Sequence, residues 1–258
     1  HFDLLRNIIF NHNLFCNCRF QKQSKPNHKF IKPFMRNATY FKIFIAFCFV
    51  YLLILILGYE SFDLFLKPIL IPLLSFGVYF YRSFPTKNML LLALLFSWIG
   101  DVILLFADLG EIYFILGLVS FLISHIVYCV LFNKQPKIKK KRNFIIFGIG
   151  SVLIALYLIG MLSVLLPTLG DLQIPVIVYA SVISIMLLFA FNGYLVWQKP
   201  GNLYVFFGAI AFVISDSILA INKFYAPFEK SSFFIMLTYL VAQYLIVVGI
   251  LKVNPKKV

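Results

Sequence analysis

Charge is what this chain has least of. Only 12% of its 258 residues are charged and nine are acidic, where a soluble domain carries about 25% charged residues. With 62% apolar residues and a mean hydropathy of +0.96, an ordinary soluble domain is excluded. Cysteine is sparse too. Cys16 and Cys18 lie near the start, Cys48 and Cys129 inside apolar runs, and no C-x-x-C occurs, so neither a disulfide nor a metal site is inferred. There is no G-x-S-x-G elbow and no H-E-x-x-H pair, which removes the serine-hydrolase and zinc-peptidase signatures. No cofactor is indicated.

The net charge of +14 invites a nucleic-acid reading. It fails because the basic residues form no face. They cluster in short loops between apolar runs, the pattern that membrane topology produces. No nucleic-acid partner is expected.

Eight apolar stretches fill the chain, at about 40–58, 65–81, 88–107, 111–132, 143–166, 174–197, 202–222 and 232–252. A spanning helix needs roughly 20 mostly apolar residues, and runs this long and continuous do not alternate as barrel strands do. The expected fold is therefore all-α: a polytopic bundle of about eight transmembrane helices forming one domain over 35–258. Residues 1–34 are polar, basic and aperiodic, and the first methionine is Met35. They lack the apolar stretch and cleavage site of a signal peptide. They are expected to be a leader, either an artefact of the gene start or a disordered tail.

Loop charge tests the count. With the N-terminus inside, the inner segments hold Arg36, Lys42, Arg82, Lys87, the basic residues of 134–142, Lys199, Lys252, Lys256 and Lys257, and no acidic residue. The outer loops hold Glu60, Asp63, Asp108, Glu111, Asp171 and Glu229 against Lys223 and Lys230. One helix more or fewer would invert everything downstream, so eight spans with both termini cytoplasmic is the expected topology. The run from Lys137 to Arg142 is expected to anchor on anionic lipid. The expected location is the cell membrane, a bacterial inner membrane.

Subtracting the loops leaves four ionisable residues at membrane depth: Lys67, Asp101, His125 and Asp216. A charge there costs about 2.5–3.5 kcal/mol even on insertion scales, so such residues usually face the bundle interior and mark a pathway or reaction site. Asp101 and Asp216 fall at similar depth on the third and seventh spans, both of which run from inside to outside. Either they pair at one site, where unlike surroundings let one carboxyl hold a proton while the other is ionised, or they are packing carboxylates that hydrogen-bond across the bundle. Gly117, Phe121, His125 and Tyr128 share one stripe of the fourth span, with Gly117 letting a helix approach closely. His125 falls about two turns nearer the inner side than Asp101 by spacing. Lys67, before Pro68, either snorkels to the interface, holds a phosphate, or neutralises a carboxylate. Tyr239 and Gln243 are one turn apart on the last span, either bonding between helices or lining a site. Residues 99–104 around Asp101 also resemble 214–219 around Asp216, which suits two four-helix halves of like orientation.

These elements resemble the YhhN-like lysoplasmalogenase family of eight-span membrane proteins. The resemblance rests on Lys67-Pro68, Ser97-x-x-Gly100-Asp101, Gly117-x-x-x-Phe121-x-x-x-His125-x-x-Tyr128, Gly208-Ala209-x-x-Phe212-x-x-Ser215-Asp216 and Tyr239-x-x-x-Gln243. They run in order from the second span to the last. The resemblance implies hydrolysis of the vinyl ether bond of a membrane lysophospholipid, giving a fatty aldehyde and a glycerophospho-alcohol. It implies catalytic Asp101, Asp216 and His125, and substrate contacts from Lys67, Ser97, Tyr128, Ser215, Tyr239 and Gln243. The chemistry suits two carboxyls in unlike surroundings, as in glycoside hydrolysis, and needs no metal. The alternative is a proton-coupled transporter of a small molecule or lipid using the same aspartates. Against it, Pro68 and Pro72 interrupt only the second span, where broken transporter helices usually occur in matching halves.

Overall fold

The structure is a computed structural model and describes residues 28–138 and 143–254, with side chains from residue 39 onward except that of Glu60. Each apolar stretch forms a helix: α1 His28–Ile56, α2 Asp63–Tyr79, α3 Lys87–Leu104, α4 Glu111–Asn133, α5 Phe144–Leu165, α6 Gln173–Val196, α7 Gly201–Ala220 and α8 Ser231–Val253. No strand occurs among the described residues. The boundaries fall within a few residues of the apolar runs, except that α1 begins at His28 and so takes in the end of the expected leader. The rest of that leader, residues 1–27, and residues 139–142 of the basic run lie outside the described residues.

Among the described residues, seven helices are long and apolar enough to cross a membrane. The other, α2, has 17 residues, at the lower end of the spanning range. The chain is a multi-pass membrane protein. Large apolar side chains such as Phe49, Phe65, Ile145 and Ile174 are exposed on the bundle's outside, where hydrocarbon rather than water fits them.

Local chemistry explains the joints. Asn143 caps α5, its side chain accepting from the backbone N–H groups of Ile145 and Ile146, as asparagine does well at that position. Pro68 and Pro72 sit inside α2. Pro72 has no N–H to donate to the carbonyl one turn back. That orphaned carbonyl, Pro68 O, instead accepts from the Trp98 indole at 2.8 Å. The missing backbone bond thus becomes a tie between α2 and α3, one residue along from Lys67.

The helix pairs α3/α4 and α7/α8 pack most extensively. Small residues permit this. A Cβ on Gly208 would lie 2.9 Å from the Ile246 backbone N and 3.0 Å from Ala242 O, so α7 and α8 touch backbone to backbone there. A Cβ on Gly117 would stand 2.6 Å from the Leu104 side chain, the close approach expected of that glycine.

The two ends of the bundle differ. At one end Asn254 Nδ2 donates to Gln135 Oε1 at 2.7 Å, Gln135 Nε2 donates to Thr86 Oγ1 at 3.0 Å, and Arg82 donates to the Asn254 carbonyl. These bonds close the end carrying the α2–α3 and α4–α5 connections and the end of α8. At the other end the α1–α2, α3–α4 and α5–α6 connections each contain a 3₁₀ turn, and α7 runs out into a π-turn at Ile221–Tyr225. That end is not closed; a cavity opens between its loops.

Candidate active site

The cavity measures about 610 Å³, the size of a small-molecule site. Asp101 and Asp216 line it together, joined by Asp63, Lys67, Lys223 and Tyr239. Two carboxyls from helices α3 and α7 therefore face one space, with a lysine from α2 and another beyond α7 at its rim. Lys223 Nζ lies 5.2 Å from the centre of the Phe114 ring, and Asp63 accepts from the buried Tyr51 hydroxyl at 2.7 Å.

Each of the paired carboxyls is held by a tyrosine. Asp101 is 3% exposed, and its Oδ2 accepts from Tyr239 OH at 2.7 Å. The Tyr239 ring is set edge-on between Phe121 and Phe212. Asp216 Oδ2 accepts from Tyr179 OH at 2.5 Å. Tyr179 comes from α6, and nothing in its local sequence distinguishes it from the other tyrosines. It was missed for that reason. Lys223 and Asp63 were read only as loop charges, because each lies at a helix end.

His125 stands behind Asp216 rather than in the cavity wall. Its Nε2 is 3.8 Å from Asp216 Oδ2, so the depth difference suggested by spacing does not keep the two apart. The ring is 1% exposed and packs edge-on against Phe212 and Tyr179. Its Nδ1 lies 2.6 Å from the Phe121 carbonyl. A carbonyl only accepts, so Nδ1 carries a hydrogen. That leaves Nε2 free of hydrogen in the neutral ring, without a hydrogen-bond partner and aimed at the carboxyl.

Three of the expected substrate contacts lie elsewhere. One turn below Asp101 and Tyr239, on the same faces of α3 and α8, are Ser97 and Gln243. Tyr128 OH donates to Gln243 Oε1 at 2.7 Å, and Gln243 Nε2 donates to Ser97 Oγ at 2.9 Å. Ser124 Oγ donates to the Ala93 carbonyl, so the remaining hydrogen in the chain is that of Ser97, donated to Ser124 at 2.8 Å. All four side chains are buried, and none lines the cavity. They form a satisfied floor that ties α3, α4 and α8 together beneath it. Ser215 does line the cavity, and its hydroxyl donates to Ile235 O at 2.9 Å.

The fold and the site together define a membrane-embedded helical bundle with two tyrosine-held carboxyls around one polar cavity. The chain belongs to the YhhN family, whose family model matches residues 62–250. It is similar to human lysoplasmalogenase TMEM86A, 32% identical over 179 residues covering 67% of this chain and 70% of the relative. It is also similar to the cattle protein of the same name, 32% identical over 180 residues with the same coverage. No solved structure matches.

Proposed function

We propose that this protein hydrolyses the vinyl ether bond of lysoplasmalogens, releasing a fatty aldehyde and a glycerophospho-alcohol. The observation that carries the reading is the cavity shared by Asp101 and Asp216. The names of the relatives support the substrate.

A vinyl ether hydrolyses by protonation of its outer carbon. The carbon–carbon π pair forms the new C–H bond, and the ether oxygen shares the positive charge left on the inner carbon. Water adds to that carbon and loses a proton. The hemiacetal then breaks its bond to the glycerol oxygen, which takes up a proton as the aldehyde forms. One water is consumed and nothing is oxidised. The reaction needs a proton donor and an anion near the cation, which two carboxyls in unlike surroundings supply. One aspartate donates; the other stays ionised and stabilises the oxocarbenium ion. Tyr239 and Tyr179 orient the carboxyls. His125 Nε2 faces Asp216, so one proton can lie on either member of that pair. Lys67 and Lys223 suit the lipid phosphate. Ser97, Tyr128 and Gln243 support the site from below.

The same reading puts the cavity at the non-cytoplasmic end, since the basic loops lie at the other. Single cysteines introduced between residues 134 and 142 then label only from the cytoplasmic side.

The test is aldehyde release by the purified protein from a lysoplasmalogen, with a saturated alkyl-ether lysolipid as the control that lacks the double bond. Wild type is expected to release aldehyde from the first alone. A carrier using the same carboxyls releases none from either, and that result overturns the proposal.

A further inference from the structure

The polar cavity does not end at Asp216. On its other side Asp216, with Phe114 and Leu219, also walls a narrow space of about 60 Å³ between α4, α5, α6 and α7. Besides Asp216, the polar side chains there are Tyr179 and Ser217, and both are already hydrogen-bonded. That space shares Leu118, Val176 and Tyr179 with a third one, of about 190 Å³, between α4 and α6. No charged side chain lines the third space. Its rim residues Val119, Ile174 and Val178 are exposed on the outside of the bundle, within stretches long and apolar enough to cross a membrane.

Polarity therefore changes from one side of Asp216 to the other. Lysines and three further aspartates, Asp63, Asp101 and Asp108, lie on one side, and mostly hydrocarbon on the other. Resting on the hydrolase reading above, we infer that the alkenyl chain of the lysolipid passes Asp216, lies in the two apolar spaces and reaches the bilayer between α4 and α6, which makes Asp216 the proton donor. The order of atoms in the substrate dictates the assignment. The carbon that takes the proton is the one on the chain side of the vinyl ether, and the carbon that takes the charge is the one bonded to oxygen, on the head-group side. Asp216 stands at the chain-side boundary. Asp101 lines only the polar cavity, with Lys67. The proton passes from the Asp216 carboxyl to the outer carbon, whose π pair forms the bond. Asp101 faces the resulting cation, and the water that adds returns a proton to Asp216.

Two experiments test this. Leu118→Trp and Val176→Trp fill the junction between the two apolar spaces, and neither residue touches an aspartate by hydrogen bond. Each is assayed on lysoplasmalogens of short and long alkenyl chain. One methylene in an apolar pocket is worth about tenfold or more in discrimination, so kcat/KM for the long chain should fall roughly tenfold or more. Turnover of the short chain should fall by less, so that the ratio of the two carries the effect, and a monodisperse protein with unchanged helix content reports that the variants fold. An equal loss at both lengths, or none at either, overturns the path. The second experiment needs no turnover. A saturated alkyl-ether lysolipid with a photoreactive group at its chain end should label residues 115–122 and 172–178 of the wild-type protein. Labelling confined to other helices, or displaced by neither substrate nor excess lysolipid, overturns the path. Wild type that releases no aldehyde at any chain length sinks the hydrolase reading instead, whatever the label reports.

Discussion

Asp101 and Asp216 belong to two halves of the molecule that begin alike and end differently. Tyr128 and Gln243 lie 115 positions apart and hydrogen-bond each other, and the two aspartates are separated by the same interval. The same spacing thus recurs in the helix that follows each, α4 after α3 and α8 after α7. The exchange is reciprocal: Asp101 receives a side chain from α8 and Asp216 faces one from α4. The outer helices break the likeness. In the first half α1 packs on α2 and α8 and buries Tyr51, which holds Asp63 at the cavity rim. In the second half α5 packs chiefly on α6, and Leu165 at its end is its buried residue. The Asp101 side is thereby polar, while apolar space is left behind Asp216. On the proposed mechanism, each carboxyl takes its role from what packs around it.

The largest effect should come from removing either carboxyl. Asp101→Asn and Asp216→Asn keep size and hydrogen bonding but remove charge and proton donation, each worth about 10² or more. Aldehyde release should fall by at least that factor in both, with monodisperse protein retained. The double variant should be only a few-fold worse than either single one, because groups that act as a unit are not additive. Full activity in either Asn variant ends the comparison, since that carboxyl then has no role in turnover.

The tyrosines sharpen it. A hydrogen bond to an ionised group is worth about 1.5–3 kcal/mol and one to a neutral group about 0.5–1.5. If Asp101 is the ion, Tyr239→Phe should cost roughly tenfold to a hundredfold in kcat and Tyr179→Phe less than about tenfold. The reverse order of losses exchanges the two roles.

How much of this was legible in the sequence follows from how each feature is encoded. A helix that crosses hydrocarbon must be apolar along its whole length, so the eight runs declared themselves and their limits held to a few residues. The start of α1 at His28 did not, because a helix that continues beyond the apolar run leaves no hydropathy signal. Asp101, Asp216, His125 and Lys67 stood out because charge at membrane depth is costly. Tyr179 did not, because tyrosine is common in this chain and costs little there. The stripe of Ser97, Tyr128 and Gln243 was visible as spacing. Whether a stripe faces a cavity or a neighbouring helix depends on helix rotation, which spacing does not carry. Asp63 and Lys223 were visible as charges but not as walls, because which way a residue at a helix end faces depends on how the helices pack, which spacing does not carry.

At the cavity rim a smaller effect is expected. Lys67→Gln and Lys223→Gln each remove a cation from the mouth without touching either tyrosine-held carboxyl by hydrogen bond. An exposed or partly exposed charge contact contributes about 1 kcal/mol, so KM for a lysoplasmalogen should rise a few-fold with kcat nearly unchanged. A substrate lacking the phosphate should respond to neither change. A fall in kcat with KM constant would move that lysine from head-group binding into the reaction.

The smallest effect on turnover should come from the Tyr128–Gln243 pair. Tyr128→Phe removes the hydroxyl that Gln243 accepts and leaves the Gln243 amide still donating to Ser97. Interhelical hydrogen bonds in membrane proteins are worth about 0.6 kcal/mol on average, and an acceptor left buried without a donor adds about 1 kcal/mol or more. The loss should therefore appear as a Tm lower by a few degrees, at about 2–4 °C per kcal/mol for a chain of this size. The cavity lies above this layer and shares none of its side chains, so kcat/KM should stay within about threefold. Gln243→Leu goes further, because it strands both the Tyr128 hydroxyl and a Ser97 lone pair in the same buried layer, and its Tm should fall further than that of Tyr128→Phe. If instead Tyr128→Phe reduces turnover tenfold at unchanged Tm, the floor takes part in the reaction, and the division between a reactive layer and a supporting one is wrong.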